Sequence, residues 1–410
     1  MIDHLSIVQK ALFSLLQMQF GEKTSSFDFK QLTENEWNAL YTECVAQAVP
    51  IICFESLNKH SMDIPPAVYN SWFKRAALSI SGSYRVLAVE RVLTNLLDKH
   101  NIPYVILKGV ASAYYYPDPE KRASGDIDFL VADDFFDIAS ELLTKNGFVK
   151  EEKYNDNHIS FLFKGISVEL HFSIAGIPDG SAGKVIKEYI FDIVERSRTI
   201  APEGFRVPCD SQHGVVILLH MIHHLLSFGL GIRHLCDWSC FVSATHNDSF
   251  WINELLPVLE RAGIKKIAFI ITDACVRYLN CPSPIWLEDV DPSISDEFVA
   301  ELLKEGNFGR KNKKKSGTTM MVQKNSEDVT LKTKILAMLE ALNKSNRLVY
   351  PILERYKFLY PFIMVWRILR YLFLMVTGKR QSITKASQYA DERSRLYKKF
   401  ELYKYDGDDL

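Results

Sequence analysis

Residues 105–131 read V-I-L-K-G-V-A-S-A-Y-Y-Y-P-D-P-E-K-R-A-S-G-D-I-D-F-L-V, and the architecture of the chain can be worked out from them. The pattern predicts a strand that ends at Lys108-Gly109, a short helix, a polar loop and a second strand. Successive side chains of a strand point to opposite faces, so Asp126 and Asp128 share one face of the second strand. The alternate apolar residues are expected to enter the core: Ile127, Phe129 and Val131.

Two carboxylates this close together ionise fully only with water or a cation between them. A third carboxylate, Glu169, lies in the alternating segment I-S-V-E-L-H-F at 166–172. Lys164-Gly165 separates this segment from the apolar run 159–163, which is typical of a β-hairpin with a two-residue turn. We expect the Glu169 strand to lie antiparallel beside the Asp126/Asp128 strand. Three oxygen ligands at one place favour Mg²⁺ over zinc.

These features resemble the nucleotidyltransferase fold of the DNA polymerase beta superfamily, in which a glycine turn and helix precede an acidic-x-acidic strand. The closer resemblance is to an uncharacterised bacterial nucleotidyltransferase-like family with the signature L-K-G, R-x-S-G-D-x-D-x-L and V-E-L-H. The matching residues here are Leu107-Lys108-Gly109, Arg122, Ser124-Gly125-Asp126, Asp128, Leu130 and 168–171. The resemblance implies an α+β fold, in which a small mixed-sheet nucleotidyltransferase core is flanked by N-terminal and C-terminal helical regions.

The resemblance also implies a function: transfer of a nucleoside monophosphate from a nucleoside triphosphate to an acceptor hydroxyl, with Mg²⁺ or Mn²⁺ as cofactor. Asp126, Asp128 and Glu169 would be both the catalytic residues and the metal ligands. The nucleotide would be bound by a wider set of residues: Lys108, Gly109, Ser112, Arg122, Ser124, His171, Arg233 and Asp237. The acceptor is left open among small molecules, tRNA and protein.

Two alternatives stay open at this stage. The turn reads Lys108-Gly109-Val110, whereas the superfamily usually has Gly-Ser or Gly-Gly-Ser, so the chain could be a catalytically inactive nucleotide-binding or partner-binding protein on the same fold. The basic run R-K-N-K-K-K at 310–315 is the one feature that favours a toxin-like nucleotidyltransferase acting on tRNA or protein.

The chain has 410 residues, of which 47% are hydrophobic and 24% charged, a composition typical of a globular protein. Its formal net charge of −1 excludes a chain that binds polyanions over its whole surface, so nucleic acid would need a local basic patch. The seven cysteines form no C-x-x-C pair, and the N-terminus has no pattern of a signal peptide. We therefore expect a cytoplasmic protein. The sequence leaves its oligomeric state open.

Hydrophobic periodicity and breaks at proline and glycine divide the chain into five parts. They are an N-terminal helical region (1–100), the nucleotidyltransferase α/β core (101–205), a helical domain (206–305), a flexible basic loop (306–330) and a C-terminal helical region (331–410). In the helical domain, Arg233 and Asp237 are four residues apart on one helix face. They form either an intrahelical ion pair or a site where Arg233 reaches substrate phosphate and Asp237 orients it.

Two further segments have more than one interpretation. The helix with His220, His223 and His224 lacks the glutamate of H-E-x-x-H, so a packing cluster is favoured over a metal site. Residues 358–376 are apolar, but Arg367 and Arg370 interrupt them, and a charge at the centre of a bilayer costs about 2.5–3.5 kcal/mol. We expect a core helix there, with a membrane-surface helix as the alternative and no membrane span.

Overall fold

The computed structural model describes most of the chain. The described residues are 5–21, 26–60, 62–151, 157–201, 204–227, 229–311, 353, 356–376, 388, 391–392, 394–396 and 398–404. Most of the predicted basic loop and the start of the predicted C-terminal helical region therefore lie outside the described residues.

Four helices precede the sheet: α1 (Ile7–Phe20), α2 (Glu34–Ala46), α3 (Pro50–Lys59) and α4 (Pro66–Lys99). Ser6 and Thr33 begin α1 and α2 with capping boxes, in which the cap side chain and the third helical residue satisfy each other's backbone N–H. Proline at the first helical position begins α3 and α4. Helical spacing predicts that Val86, Val89, Leu93, Leu96 and Leu97 form an apolar stripe. The C-terminal half of α4 packs under the sheet through these residues, which confirms that the stripe faces a core.

A five-stranded mixed sheet forms the centre of the α/β part. Its strands are β1 (Tyr104–Ile106), β2 (Asp126–Val131), β3 (Val149–Lys150), β4 (His158–Phe163) and β5 (Ile166–His171). Their order across the sheet is β1-β2-β5-β4-β3. Together with the surrounding helices, this sheet confirms the α+β prediction. As expected, Ile127, Phe129 and Val131 are buried, and a two-residue turn at Lys164-Gly165 joins the β4–β5 hairpin.

The expected direction of the Glu169 strand is wrong. Strand β5 runs parallel to β2, whereas β1 pairs with β2, and β4 with β5, in antiparallel fashion. A parallel pair needs a crossover connection. Here the chain between β2 and β5 passes through helix α6 (Phe136–Lys145) and strands β3 and β4 before it returns beside β2.

Three expectations from the sequence near these strands need correction. Helical spacing predicts an apolar helix face of Phe135, Ile138, Leu142 and Leu143 and a cap at Asp133 or Asp134, and strand alternation predicts Phe172 on the apolar side of β5. Ile138 is 54% exposed, and Ala139 is buried instead. Neither Asp133 nor Asp134 caps this helix; a 3₁₀ turn leads into it without a side-chain cap. Phe172 is 47% exposed because β5 ends at His171 and the burial alternation ends with it.

Helices form most of the remaining described chain. They are α5 (Val110–Ala113), between β1 and β2, then α7 (Ser181–Tyr189), α8 (Asp210–Leu226), α9 (Ile232–Ala244), α10 (Asp248–Phe250), α11 (Leu256–Arg261), α12 (Lys265–Leu279), α13 (Pro292–Glu305) and α14 (Tyr360–Val376). A π-helical turn, Trp251–Leu255, joins α10 to α11, and strands β6 (Arg198–Ile200) and β7 (Phe205–Val207) form a separate hairpin. Buried side chains of α1–α3, α8, α9 and α11–α13 share one continuous apolar core.

Helix α14 was expected in the core, and this placement is wrong. Its large apolar side chains are mostly exposed, with Phe362 at 70% and Phe373 at 66%. An apolar composition can reflect burial against any partner, so it does not identify the surface that covers the helix. Among the described residues, no helix is long and apolar enough to cross a bilayer.

Candidate active site

Three carboxylates meet where β2 and β5 lie side by side. The parallel register pairs Asp128 directly with Glu169, and Asp126 lies two residues earlier on the same face of β2. Asp126 is exposed, Glu169 is half-buried and Asp128 is only 2% exposed. These three residues are called the carboxylate edge below.

Asp128 is held by two donors at one oxygen. Lys108 Nζ lies 2.6 Å from Asp128 Oδ1, and His171 Nε2 lies 3.0 Å from the same atom. Burial alone would raise the pKa of Asp128, but Lys108 and the hydrogen bond from His171 outweigh burial and hold this pKa well below its usual range. Against its own burial, Lys108 has a raised pKa because of Asp128. The pair is therefore ionised.

His171 is positioned to carry a proton on both ring nitrogens. Its Nε2 faces Asp128 Oδ1, and its Nδ1 lies 3.3 Å from the carbonyl oxygen of Ser173. Burial lowers the pKa of His171, but the hydrogen bonds to Asp128 and Glu169 more than compensate and raise it. When the ring is protonated on both nitrogens it donates to both oxygens, which fixes it against β5.

Asp126, the exposed member of the carboxylate edge, is repelled by the negative charge of Asp128. This charge, on the same face of β2, raises the pKa of Asp126. A raised pKa means that the ionised form of Asp126 is disfavoured where it stands. A divalent cation shared between the two carboxylates would reverse this effect.

A glycine turn lies beside the carboxylate edge, between β1 and α5. Gly109 has φ of 64° and ψ of −111°, a backbone conformation that residues other than glycine rarely adopt. Its carbonyl oxygen accepts a hydrogen bond of 3.1 Å from Arg122 Nη1. The turn is thus fixed by a side chain from the loop that leads into β2.

Arg122 is itself fixed by Asp237 rather than by Asp126. Its Nε and Nη2 donate to the two oxygens of Asp237 at 2.7 and 2.9 Å, and the hydroxyl of Tyr116 donates to the same carboxylate at 2.7 Å. Arg122 and Asp237 are both buried. The proposed intrahelical pair between Arg233 and Asp237 is therefore replaced by a tertiary one, because a cation from the β2 loop reaches Asp237 in a bidentate geometry.

Arg233 is left with little compensation for its charge. Its Nη1 donates to the carbonyl oxygen of Ala123 at 3.2 Å, its guanidinium carbon lies 5.8 Å from the centre of the Phe308 ring, and its buried Nε has no hydrogen-bond partner. Burial and the neighbouring Arg122 lower the pKa of Arg233. A buried guanidinium in this state is a strong site for an anion.

These groups line one cleft of about 370 Å³. Among the residues predicted for the site, nine line it: Lys108, Gly109, Arg122, Ser124, Asp126, Asp128, Glu169, His171 and Arg233. Two do not. Ser112 is buried within α5, and Asp237 lies behind Arg122, where it can act on a ligand only through that arginine.

The comparison with protein families agrees with this geometry. The model of an uncharacterised nucleotidyltransferase family matches residues 33–280, a range that contains every residue that lines the cleft except Phe308. The chain belongs to this nucleotidyltransferase family. Its membership supports a transferase that uses a nucleoside triphosphate. No curated protein and no solved structure gave a match.

Sequence reasoning missed three polar or aromatic residues of the cleft: Asn157, His158 and Phe308. It assigned His220, His223 and His224 to a packing cluster, and all three line the cleft as well. His158 Nδ1 lies 3.3 Å from Glu169 Oε2. The signal for His158 was present, because a two-residue turn at 164–165 fixes the hairpin register and places His158 opposite His171. Phe308 comes from a segment remote in sequence, and no local pattern indicates its position.

The basic run begins beside α2 rather than in the cleft. Arg310 Nη1 donates to the carbonyl oxygen of Val45 at 2.9 Å, and Lys311 pairs with Glu43 at 2.5 Å. Residues 312–315 of the run lie outside the described residues.

Proposed function

We propose that this protein transfers a nucleoside monophosphate from a nucleoside triphosphate to an acceptor hydroxyl, with a divalent metal ion, on the fold of the DNA polymerase beta superfamily. The observation that carries the proposal is the register of β2 and β5, which sets Asp128 beside Glu169 with Asp126 on the same face of a cleft. Family membership independently supports a nucleotidyltransferase.

The carboxylate edge suits Mg²⁺ or Mn²⁺. All three side chains supply hard oxygen ligands, and the repulsion from Asp128 that raises the pKa of Asp126 would be relieved by a cation. Lys108 and His171 both contact Asp128 Oδ1, which leaves Oδ2 for a metal. Asp126, Asp128 and Glu169 would hold the ion. When bound, it would stabilise charge on the attacking and leaving oxygens of the displacement.

Cations of this chain would bind the triphosphate. Lys108 and the Gly109 turn lie at the carboxylate edge, and Arg233 contributes a guanidinium without a carboxylate partner among the described residues. Arg122 would act indirectly, because its hydrogen bond to Gly109 fixes the turn while Asp237 holds its charge. These positive groups would orient the β- and γ-phosphates, so that pyrophosphate is the leaving group.

Glu169 would take the proton of the acceptor. In the reaction the acceptor oxygen forms a bond to the α-phosphorus, the bond from that phosphorus to the bridging oxygen breaks, and pyrophosphate departs. Glu169 Oε2, which lies 3.3 Å from His158 and 3.6 Å from His171, is the carboxylate oxygen placed to accept the released proton. The two histidines would fix its orientation.

One observation favours a second candidate, a nucleotide-binding protein without catalytic activity. The ammonium of Lys108 lies 2.6 Å from Asp128 and also interacts with Asp126 and Glu169, so it already supplies a positive charge to the carboxylate edge. In this alternative Lys108 takes the place of a metal ion, and the nucleotide binds without reaction.

The test is transfer of label from α-³²P-labelled nucleoside triphosphates to components of a cell extract, with Mg²⁺ or Mn²⁺ added. We expect labelled product and pyrophosphate that depend on the metal and are lost in Asp126→Asn. Matched Asp133→Asn, which removes a carboxylate beyond the end of β2, is expected to keep activity. Tight binding of triphosphate with no pyrophosphate from any nucleotide would reject transfer and support the second candidate.

A further inference from the structure

Three histidines from two helices meet on the wall of the cleft formed by α8 and α9. His220 and His224 are one turn apart on α8, and His234 lies on α9. The ring centres of His220 and His224 are 4.3 Å apart, and His234 lies 5.4 and 5.5 Å from them. One ring nitrogen from each lies within 4.8 Å of the others. We call these residues the histidine trio.

His234 is the member that packing alone does not explain. It is 1% exposed, and neither of its ring nitrogens makes a well-aligned hydrogen bond, although the Gly231 backbone interacts with the ring and raises its pKa slightly against the effect of burial. A buried polar group left without a partner costs about 1–3 kcal/mol, and an imidazole offers two such groups. Burial, together with the positive charges of Arg233 and Arg122, holds the pKa of His234 well below its usual range, so the ring is in the neutral form that can donate an electron pair. A ligand that accepts an electron pair from a neutral ring nitrogen would satisfy His234.

We propose that the histidine trio binds a transition-metal ion, Zn²⁺ being the best match, as a site separate from the carboxylate edge. Neutral imidazole is the form that ligates, and three imidazoles suit zinc better than magnesium. Zn–N bonds of about 2.0–2.1 Å in a tetrahedral site separate the ligand nitrogens by roughly 3.3 Å, so the present spacing needs only a small closure of the side chains.

The site would have an open coordination position. His220 and His224 both line the cleft, whereas His234 lies behind them, so the remaining position of a tetrahedral ion faces the cleft. Three protein ligands with one open position are typical of zinc sites that bind a further ligand, as opposed to structural sites with four protein ligands. Because Lys108 and Arg233 make the surroundings positive, we expect this further ligand to be an anionic oxygen.

Phe308 covers the trio from the side of α13. Its ring centre lies 4.8 Å from that of His224 and 6.1 Å from that of His234. It adopts φ of 54°, which is uncommon for a bulky residue and indicates that the surrounding structure holds it there. Phe308 also lines the cleft and is 46% exposed, so it lies beside the trio at the edge of the cleft.

The experiment titrates metal-stripped, full-length protein, purified through a tag without histidine, with Co²⁺. Four-coordinate Co²⁺ absorbs in the visible region, and Zn²⁺ added afterwards bleaches the band if both ions occupy one site. We expect roughly one equivalent to bind, and His220→Ala or His234→Gln to weaken binding by about 100-fold or more, since even the loss of outer hydrogen bonds to ligands costs about 10–100-fold.

Two control variants separate this site from the carboxylate edge. Asp126→Asn removes one of its carboxylates, and His158→Ala removes one ligand of the other candidate metal cluster, formed by His158, Glu169 and His171. Both are expected to keep the Co²⁺ band. If His234→Gln fails to fold by circular dichroism, the half-buried His220 still decides the outcome.

The proposal is overturned if the parent protein gives no four-coordinate band, if the band survives His220→Ala with unchanged affinity, or if it disappears in either control. The readout is metal binding, so it stands or fails independently of nucleotide transfer.

Discussion

Replacing Asp237 by asparagine should destabilise the protein strongly. The carboxylate accepts three buried hydrogen bonds, two of them from Arg122, and both charged side chains are about 6% exposed. An amide keeps the shape of Asp237 but turns one acceptor into a donor that faces the guanidinium. Arg122 would then be a buried charge without compensation, with the cation Arg233 nearby. Breaking one partner of such a pair costs about 3–5 kcal/mol.

Urea unfolding followed by circular dichroism measures this cost, with Glu141→Gln as the matched control. Glu141 pairs with Lys145 at 3.2 Å, but both side chains are more than 70% exposed. Exposed pairs contribute about 0–1 kcal/mol, so this control should leave the midpoint nearly unchanged. The same preparation of Asp237→Asn, tested while folded, should also bind nucleoside triphosphate less tightly, because Arg122 no longer fixes the Gly109 turn.

A loss below about 1 kcal/mol in Asp237→Asn, equal to that of the control, would refute this reasoning. It would mean that water reaches Arg122 or that another group replaces Asp237. If Asp237→Asn has normal stability but binds nucleotide less tightly, Asp237 would instead contact the substrate directly.

Three further predictions concern residues that line the cleft. Arg233→Gln should raise the KM for nucleoside triphosphate roughly 10- to 100-fold in steady-state assays, since a hydrogen bond to a charged group contributes about 1.5–3 kcal/mol. Gly109→Ala should cost about 1–3 kcal/mol of unfolding free energy because of its positive φ, whereas Gly82→Ala, in the open middle of α4, should gain about 0.5–1 kcal/mol. His171 has a raised pKa in the folded state. Its stabilisation is therefore present below the unfolded pKa of about 6.5 and lost as the pH rises through the folded pKa, so His171→Phe should cost more near pH 6 than near pH 9 in urea unfolding.

Local pattern predicted the part of the site that depends on alternation and turns. The two-residue period placed Asp126 and Asp128 on one face, and Lys164-Gly165 predicted the hairpin that carries Glu169. Alternation defines faces but not strand direction, so it could not distinguish parallel from antiparallel pairing of β5 with β2. That choice depends on how the chain between them crosses the sheet.

Local sequence patterns could not predict which side chains from distant segments contact each other. Arg233 and Asp237 have the spacing of an intrahelical pair, yet the carboxylate binds Arg122 from a loop remote in sequence. Helical periodicity identifies which face a residue occupies and does not identify the groups from other segments that reach this face. His234 was overlooked for the same reason: His220 and His224 lie on one helix, and only the packing of α8 against α9 adds His234 to them.

The parallel pairing of β2 with β5 has a consequence for biosynthesis. Asp128 leaves the ribosome well before Glu169, and between them the chain must form α6 and the β3 and β4 segments. Long-range pairing of this kind is slow because the chain loses the entropy of loop closure before the stabilising contacts form. A nascent chain truncated after α6 therefore carries Asp126 and Asp128 and lacks Glu169, so its carboxylate edge is incomplete. Any nucleotide-dependent protection from proteolysis should appear only once translation has passed β5.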